Sequence, residues 1–377
     1  MLVIADDLKK KKSSVQVDDS LSRVILICGK RGSGKSYSLG VFAESLYFSQ
    51  ERPLIIITDP MGIFWSMAQM NEEARSVKPI PIRLLIPGKP QNCYDFDVIL
   101  QMQHLGIEFR RIEINPFELT EDAWCSFFEA SINEPLGISL YRAVQELRKQ
   151  ETFFIPDIIE KVKKDALAQD KTKEALINRL ASANSLGIFS TSLAEFQEES
   201  FSSEHINILD LSVLEPSNFG LRNLLLDILC RRMFKQNTLN KKRFDLGLPC
   251  SMKRVWLLLD EAHQFAPQGA KSLAKESLIR WVKEGRHPGL SCIFVTQQPS
   301  SLDNEIISQC DLIITHKITN IDDVSTVNKL TQAYMPAELK LLLRNLRQPG
   351  EAVVIDDLKE EVQMVKIRKR LTHHGGG

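Results

Sequence analysis

The sequence predicts an α/β fold, a mainly parallel sheet interrupted by an inserted helical bundle. Three observations carry this. Short apolar runs ending in polar or acidic residues alternate with segments of helical periodicity. A glycine-rich octapeptide, Gly29 to Ser36, joins one such run to one such helix. Between Thr120 and Ser185 the β-branched runs stop and only helical spacing remains.

Taken in order, residues 1–22 are polar and read as a flexible N-terminal arm. Its four-lysine run, Lys9 to Lys12, reads as a solvated leader, with targeting or DNA contact as the alternative. Val24–Cys28 is the first buried strand, and the helix after it runs from Lys35 to about Phe48. Pro53–Thr58 is a second strand, ending at Asp59 and Pro60; Ile82–Ile86 is a third, closed by Pro87 and Gly88. These make residues 23–115 the first part of the core. Near Pro116 the character changes. Helical spacing covers Glu121–Ile132, Ile138–Arg148, Pro156–Ala168 and Thr172–Ser185, with prolines and polar residues between, so residues 116–200 read as an inserted four-helix bundle. Strand-like runs return at Ile206–Leu211, Val255–Leu259, Cys292–Thr296, Leu312–Ile318, Ala352–Ile355 and Val362–Ile367. An amphipathic helix at Gly220–Phe234 and a shorter one at Ser277–Lys283 separate some of them. Residues 201–367 thus form the second part of the core, and 368–377 a C-terminal tail.

Bulk properties narrow the function. With 377 residues, 43% hydrophobic and 25% charged, the chain has the composition of a soluble globular protein with a sizeable core. A formal net charge of zero argues against a wholly basic nucleic-acid-binding surface but leaves room for a local basic channel. Seven cysteines without a C-x-x-C pair read as small buried hydrophobes in a reducing cytoplasm. No apolar stretch approaches the ~18 residues of a membrane span, and charges interrupt any signal-peptide pattern.

The octapeptide Gly29-Lys30-Arg31-Gly32-Ser33-Gly34-Lys35-Ser36 is a complete G-x-x-x-x-G-K-[ST] phosphate loop between strand and helix. Glycines let the backbone curl so that its N–H groups face phosphate oxygens. Lys35 brings a cation to the β- and γ-phosphates, Ser36 a hydroxyl to Mg²⁺, and the helix its positive end. The cofactors expected are therefore ATP and Mg²⁺. The run Val255–Leu259 ends in Asp260 and Glu261. Strand ends of this kind meet the ligand in open α/β sheets, so Asp260 suits Mg²⁺ and Glu261 the activation of a water. Gln297, ending the run Cys292–Thr296, is placed to bond the γ-phosphate or that water, or else simply caps the strand. Arg286 lies too far from its own loop in an ordinary strand order and suits an arginine finger offered to a neighbouring subunit, with a plain surface arginine as the alternative. His263 orients Glu261 or packs locally.

At this point the chain resembles the HerA/FtsK superfamily of ring-shaped DNA-translocating ATPases, HerA most. The resemblance rests on Gly29–Ser36, Thr58–Gly62, Leu259–Pro267, Glu284–Arg286, Val295–Asp303, Ser308–Asp311, Pro349–Ala352 and the tail Arg368–Gly376. It implies a P-loop core of the RecA-like kind with an inserted bundle, a homohexameric ring with ATP sites at subunit interfaces, and duplex DNA in the pore. It further implies Arg286 as the finger acting in trans, Arg23 near the interface, and a tail reaching the neighbouring subunit. There are departures. The family's N-terminal β-barrel, which docks the NurA nuclease, has no room in the 28 residues before the loop, which argues against NurA as partner and leaves another nuclease or a defence effector. Gln298 replaces a usual arginine; Met61, Ile63 and Phe64 replace the usual residues after Asp59-Pro60.

Two functions remain in view. One is a DNA motor, making sequence-independent backbone contacts, to which Lys271 and Lys275, in a loop-like stretch, contribute pore contacts unless they are ordinary solvated residues. The other is an ATP-gated assembly or regulatory subunit that scaffolds a nuclease or effector without processive movement.

Overall fold

A computed structural model describes residues 1–8, 14–74, 77–191, 201–215, 220–330 and 336–376; the four-lysine run and the end of the inserted segment, 192–200, lie outside them. The strands are β1 (Leu2–Asp7), β2 (Ser14–Val17), β3 (Val24–Cys28), β4 (Leu54–Asp59), β5 (Ile82–Pro87), β6 (Glu108–Ile112), β7 (Ile206–Asp210), β8 (Val255–Leu259), β9 (Leu290–Thr296), β10 (Leu312–Thr315), β11 (Glu351–Asp356) and β12 (Glu361–Ile367). The helices are α1 (Lys35–Tyr47), α2 (Phe96–His104), α3 (Glu121–Phe127), α4 (Pro135–Leu147), α5 (Ile155–Lys163), α6 (Asp170–Ser185), α7 (Leu221–Asp245), α8 (Leu273–Glu284), α9 (Asn304–Ile307), α10 (Ile321–Leu330) and α11 (Pro336–Asn345).

All twelve strands form one sheet in the order β2-β1-β12-β11-β10-β3-β9-β8-β4-β7-β5-β6. From β10 to β6 every pairing is parallel; β11, β12, β1 and β2 are added antiparallel at one side. The central strands are apolar on both faces because helices cover both. Ile25 and Ile27 of β3 pack with Leu39, Phe42 and Leu46 of α1 on one face; Leu26 and Cys28 join the other, which carries α7, α8 and the inserted helices. In the insertion, Trp124 stacks on Phe128 and Phe189.

Three differences from the sequence expectation have identifiable causes. Within residues 1–22, Leu2–Asp7 and Ser14–Val17 are not a loose arm: β1 pairs with β12 and β2 with β1, burying Leu2, Ile4 and Ala5. Their alternation is short and irregular, with a register shift between Val3 and Ala5, and so hides among charges. Helix α7 runs eleven residues past Phe234, because Asn237 and Asn240 turn inward and donate to the carbonyls of Lys253, Pro288 and Ser251 at 3.0, 3.1 and 3.2 Å. A reading based on apolar spacing cannot see such polar anchors.

The tail, expected to reach a neighbouring subunit, is bound to its own chain. Glu44 in α1 is fully buried. Its carboxylate accepts bonds from the Thr372 N–H (2.9 Å) and hydroxyl (2.7 Å), the Leu371 N–H (3.0 Å) and Arg368 Nη1 (2.9 Å). Asn71 donates to the Arg370 and Thr372 carbonyls, and the Arg370 N–H to the Tyr37 hydroxyl. The Arg370 guanidinium lies over Gly40, where a Cβ would come within 2.5 Å of it.

Candidate nucleotide site

Strand order assembles the site. Along the carboxyl edge of the parallel sheet, β3, β9, β8, β4 and β7 stand side by side. They deliver, in that order, the phosphate loop, Gln297, Asp260 with Glu261, Asp59 and Asp210. Ligands sit at this edge in open α/β sheets.

The loop from Gly29 to Ser36 follows β3 and opens α1. Gly32 and Gly34 hold φ angles of +72° and +109°, where a side chain is strained. At Gly29 a Cβ would lie 2.6 Å from the Cβ of His316, so only glycine fits. Lys30 and Arg31 are exposed at the tip; Ser33 is buried, its hydroxyl donating to the Lys30 carbonyl at 2.7 Å. The Lys35 ammonium donates to the same carbonyl at 3.0 Å. Burial pulls its pKa down, and the charges of Glu261 and Asp260 push back.

The Ser36 hydroxyl donates to Asp260 Oδ2 at 3.0 Å, joining the start of α1 to the end of β8. Burial, and next the charge of Glu261, raise the Asp260 pKa to about 6, against the bonds from Ser36 and the Glu261 N–H. Glu261 itself sits at φ +50°, a left-handed conformation that costs a non-glycine residue of order 1 kcal/mol or more. That turn aims its carboxylate back over the edge. Gln297 Nε2 donates to Glu261 Oε1. Glu261 Oε2 is buried without a hydrogen-bond partner, 3.6 Å from His263 Nδ1. His263 in turn is 3.1 Å from the Thr296 hydroxyl, which fixes its ring beside the glutamate.

The donor set fits a hard divalent cation. Such ions take oxygen ligands, usually one or two carboxylates plus phosphate and water. The Ser36 hydroxyl and Asp260 carboxylate converge from two elements, and an unpartnered Glu261 oxygen lies on the next residue. A cation there would lower the Asp260 pKa that burial raises.

Four basic residues stand elsewhere. Arg286 is exposed in the turn between α8 and β9, at the amino edge of the sheet. The length of β9 separates it from its own phosphate loop by roughly 20 Å. Arg23, which the resemblance placed near an interface, is 3% exposed; it pairs with Asp311 at 3.1 Å and Asp356 at 3.5 Å in its own chain. Lys275 is not free for DNA: it pairs with Asp303 at 2.6 Å and donates to the carbonyls of Pro267 and Ala270. Lys271 is exposed.

The sequence reading left out three residues that shape the site. Asp59 closes β4 as Asp260 closes β8. It accepts the Phe64 N–H at 2.8 Å, and burial raises its pKa to about 7. Asp210 closes β7 and is bonded by Ser212 and the Tyr94 hydroxyl. An acid ending an apolar run was the available signal for both. His316, buried against the loop, had none, because it follows β10 in sequence and meets the loop only through the β3–β10 pairing.

Over 301 residues the chain is 25% identical to a probable helicase of Methanocaldococcus jannaschii, covering 74% of this chain and 56% of the relative. It is 24% identical over 357 residues to the DNA double-strand break repair helicase HerA of Sulfolobus acidocaldarius, covering 93% and 65%. The chain thus spans between half and two thirds of the length of these relatives. In structure it is similar to VirB4 of Thermoanaerobacter pseudethanolicus, with a TM-score of 0.67 and 16% identity over 98% of this chain and 96% of that one. That likeness shows a shared fold, an α/β fold of the RecA-like kind. Residues 216–369 match a model described as zonular occludens toxin. Residues 7–232, more than half of the chain, match the model of the HerA helicase central domain, and the protein belongs to that family.

Proposed function

We propose that the protein is a Mg²⁺-dependent ATPase that works as a ring-shaped DNA translocase. The observation that carries this reading is the 3.0 Å contact between Ser36 and Asp260 with the unpartnered Glu261 oxygen beside it. ATP would lie on the loop Gly29, Lys30, Arg31, Gly32, Ser33, Gly34, with Lys35 on its β- and γ-phosphates. Ser36 and Asp260 would hold Mg²⁺, which neutralises phosphate charge when bound. Glu261 accepts a proton from the attacking water through its free oxygen, while Gln297 holds the other oxygen and so orients the carboxylate.

Arg286 of the same chain stands on the far edge of the sheet and cannot reach its own phosphate loop. A neighbouring subunit's Arg286 would supply a cation opposite the γ-phosphate, so the working form is a closed ring, a hexamer by family analogy. Duplex DNA is the proposed substrate, on the strength of the HerA relatives, and a nuclease or defence effector the proposed partner.

The test uses Lys35→Ala and Glu261→Gln with purified protein and duplex DNA. Lys35→Ala should abolish turnover and weaken ATP binding. Glu261→Gln should still bind but lose turnover by about 10²–10⁴. DNA should stimulate the wild type. Full turnover by Glu261→Gln would move the base elsewhere, and turnover that answers a protein partner but not DNA would replace the motor with a gated scaffold.

A further inference from the structure

The loop is held from a direction that the phosphate-loop pattern does not reveal. The chain leaves β10 at His316 and returns to β11 at Glu351, and both ends of this excursion grip the loop. The Lys30 N–H donates to the Lys317 carbonyl at 2.8 Å, and the Gly350 N–H to the Ser33 carbonyl at 3.2 Å. Between these two contacts lies the His316 side chain, fully buried. Its Nδ1 is 3.0 Å from the Glu351 carbonyl and its Nε2 is 2.9 Å from the Ser38 hydroxyl, in the first turn of α1.

The hydrogen-bond roles follow from inventory. A carbonyl only accepts, so Nδ1 carries the proton and donates to Glu351. The neutral ring then offers Nε2 as an acceptor. Burial, with Lys35 and Lys366 as the nearby charges, lowers its pKa to about 4, so it stays neutral. Ser38 has one hydroxyl proton and two acceptors in reach, Nε2 and the Gly34 carbonyl at 3.0 Å. With Nδ1 protonated, Nε2 can only accept, so the 2.9 Å contact takes the hydroxyl proton, and the Ser38 N–H keeps the Gly34 carbonyl bonded at 2.9 Å.

We propose that His316 is a positioning residue of the nucleotide site, tying the first turn of α1 to the β10–β11 pair and thereby setting where Lys35 and Ser36 stand. The inference rests on the nucleotide-binding reading above. Ser38 lies two residues beyond Ser36 and three beyond Lys35 on the same turn. The Cβ approach at Gly29 shows that ring and loop are packed without slack. The imidazole bonds Ser38 and the Glu351 carbonyl, and it acts through Ser38 and the loop backbone.

The experiment measures equilibrium binding of a fluorescent ATP analogue with Mg²⁺ to the full chain, beside thermal melting. Ser38→Ala and His316→Ala should each weaken binding by about three- to tenfold, the worth of one buried hydrogen bond. His316→Gln, whose amide reaches the Nε2 position, should recover part of the loss. The double variant Ser38→Ala/His316→Ala should be no weaker than His316→Ala alone, because both remove one link. Ser38→Ala removes a single hydroxyl and carries the test should His316→Ala fail to fold. Glu44→Gln, further along α1, should lower the melting temperature and leave affinity unchanged. Wild-type affinity in Ser38→Ala, or additive losses in the double variant, would overturn the role of His316 while Lys35→Ala still marks the site. A wild type that binds no nucleotide would overturn the site and this inference together.

Discussion

The two edges of the parallel sheet are built on opposite electrostatic plans. At the carboxyl edge, Asp59, Asp210, Asp260 and Glu261 crowd together; burial raises the pKa of Asp59 and Asp260 to about 7 and about 6, and Lys35 is a cation beside Asp260 and Glu261. At the amino edge, Arg23 sits between Asp311 and Asp356, while Arg286 stays exposed. One edge is a high-energy arrangement that a bound cation would relieve. The other is closed within the chain and leaves one guanidinium facing outward. A ring that sets the amino edge of one subunit against the carboxyl edge of the next would complete both.

The sharpest way to break this contrast is Arg286→Ala. A pure population should bind ATP normally and lose about 10³–10⁵ in turnover, the range for a finger supplied in trans. Mixed with Lys35→Ala subunits, it should regain activity, since a mixed interface pairs an intact loop with an intact finger. No rescue across mixing ratios, with mixed rings confirmed by native mass measurement, would confine Arg286 to a local role.

Next in size is Arg23→Ala. It strands two carboxylates at the amino edge and should lower unfolding free energy by about 3–5 kcal/mol in denaturant titration. ATP affinity should not change, because the loop is at the other end of β3. A loss of affinity without a loss of stability would return Arg23 to an interface role.

The smallest effect concerns Asp59, which sharpens the claim that the carboxyl edge is under strain. Its folded pKa lies above its unfolded one, so between about 4 and 7 the folded state binds the extra proton. Ionisation of Asp59 therefore costs stability in full above pH 7, and the cost fades as pH falls toward 4. Asp59→Asn removes that dependence. Relative to wild type it should gain up to about 4 kcal/mol between pH 4 and pH 8, offset at every pH by the loss of one accepted N–H bond. Comparing the variant with wild type cancels His316, whose lowered pKa slopes the other way. A gap that does not move with pH would mean that Asp59 is ionised at no cost.

Much of the site was legible in sequence because its chemistry is local. Eight consecutive residues specify the loop, since the glycine conformations, the lysine and the serine must be at fixed offsets. An acid directly after an apolar run specifies a strand-end carboxylate. The same rule marks Asp59 and Asp210 as strand-end acids, but nothing local says which strands stand beside β8. Lys275 read as a free cation for a similar reason: its partner Asp303 is 28 residues on, and only the fold brings the two to 2.6 Å.

By itself, then, the sequence determined the α/β class, the loop and the acids that end β8. Hydrophobic periodicity and turn chemistry act over a few residues and survive in any arrangement of the strands. Tertiary structure decided the rest. It inserted β9 between β3 and β8, which brings Gln297 onto Glu261. It drew the first residues into the sheet and laid the tail on Glu44, a buried carboxylate that needs donors and finds them more than 320 residues away. It set His316 behind the loop. Each of these depends on which distant groups satisfy a buried charge or backbone bond, and that is settled only when the whole sheet has closed.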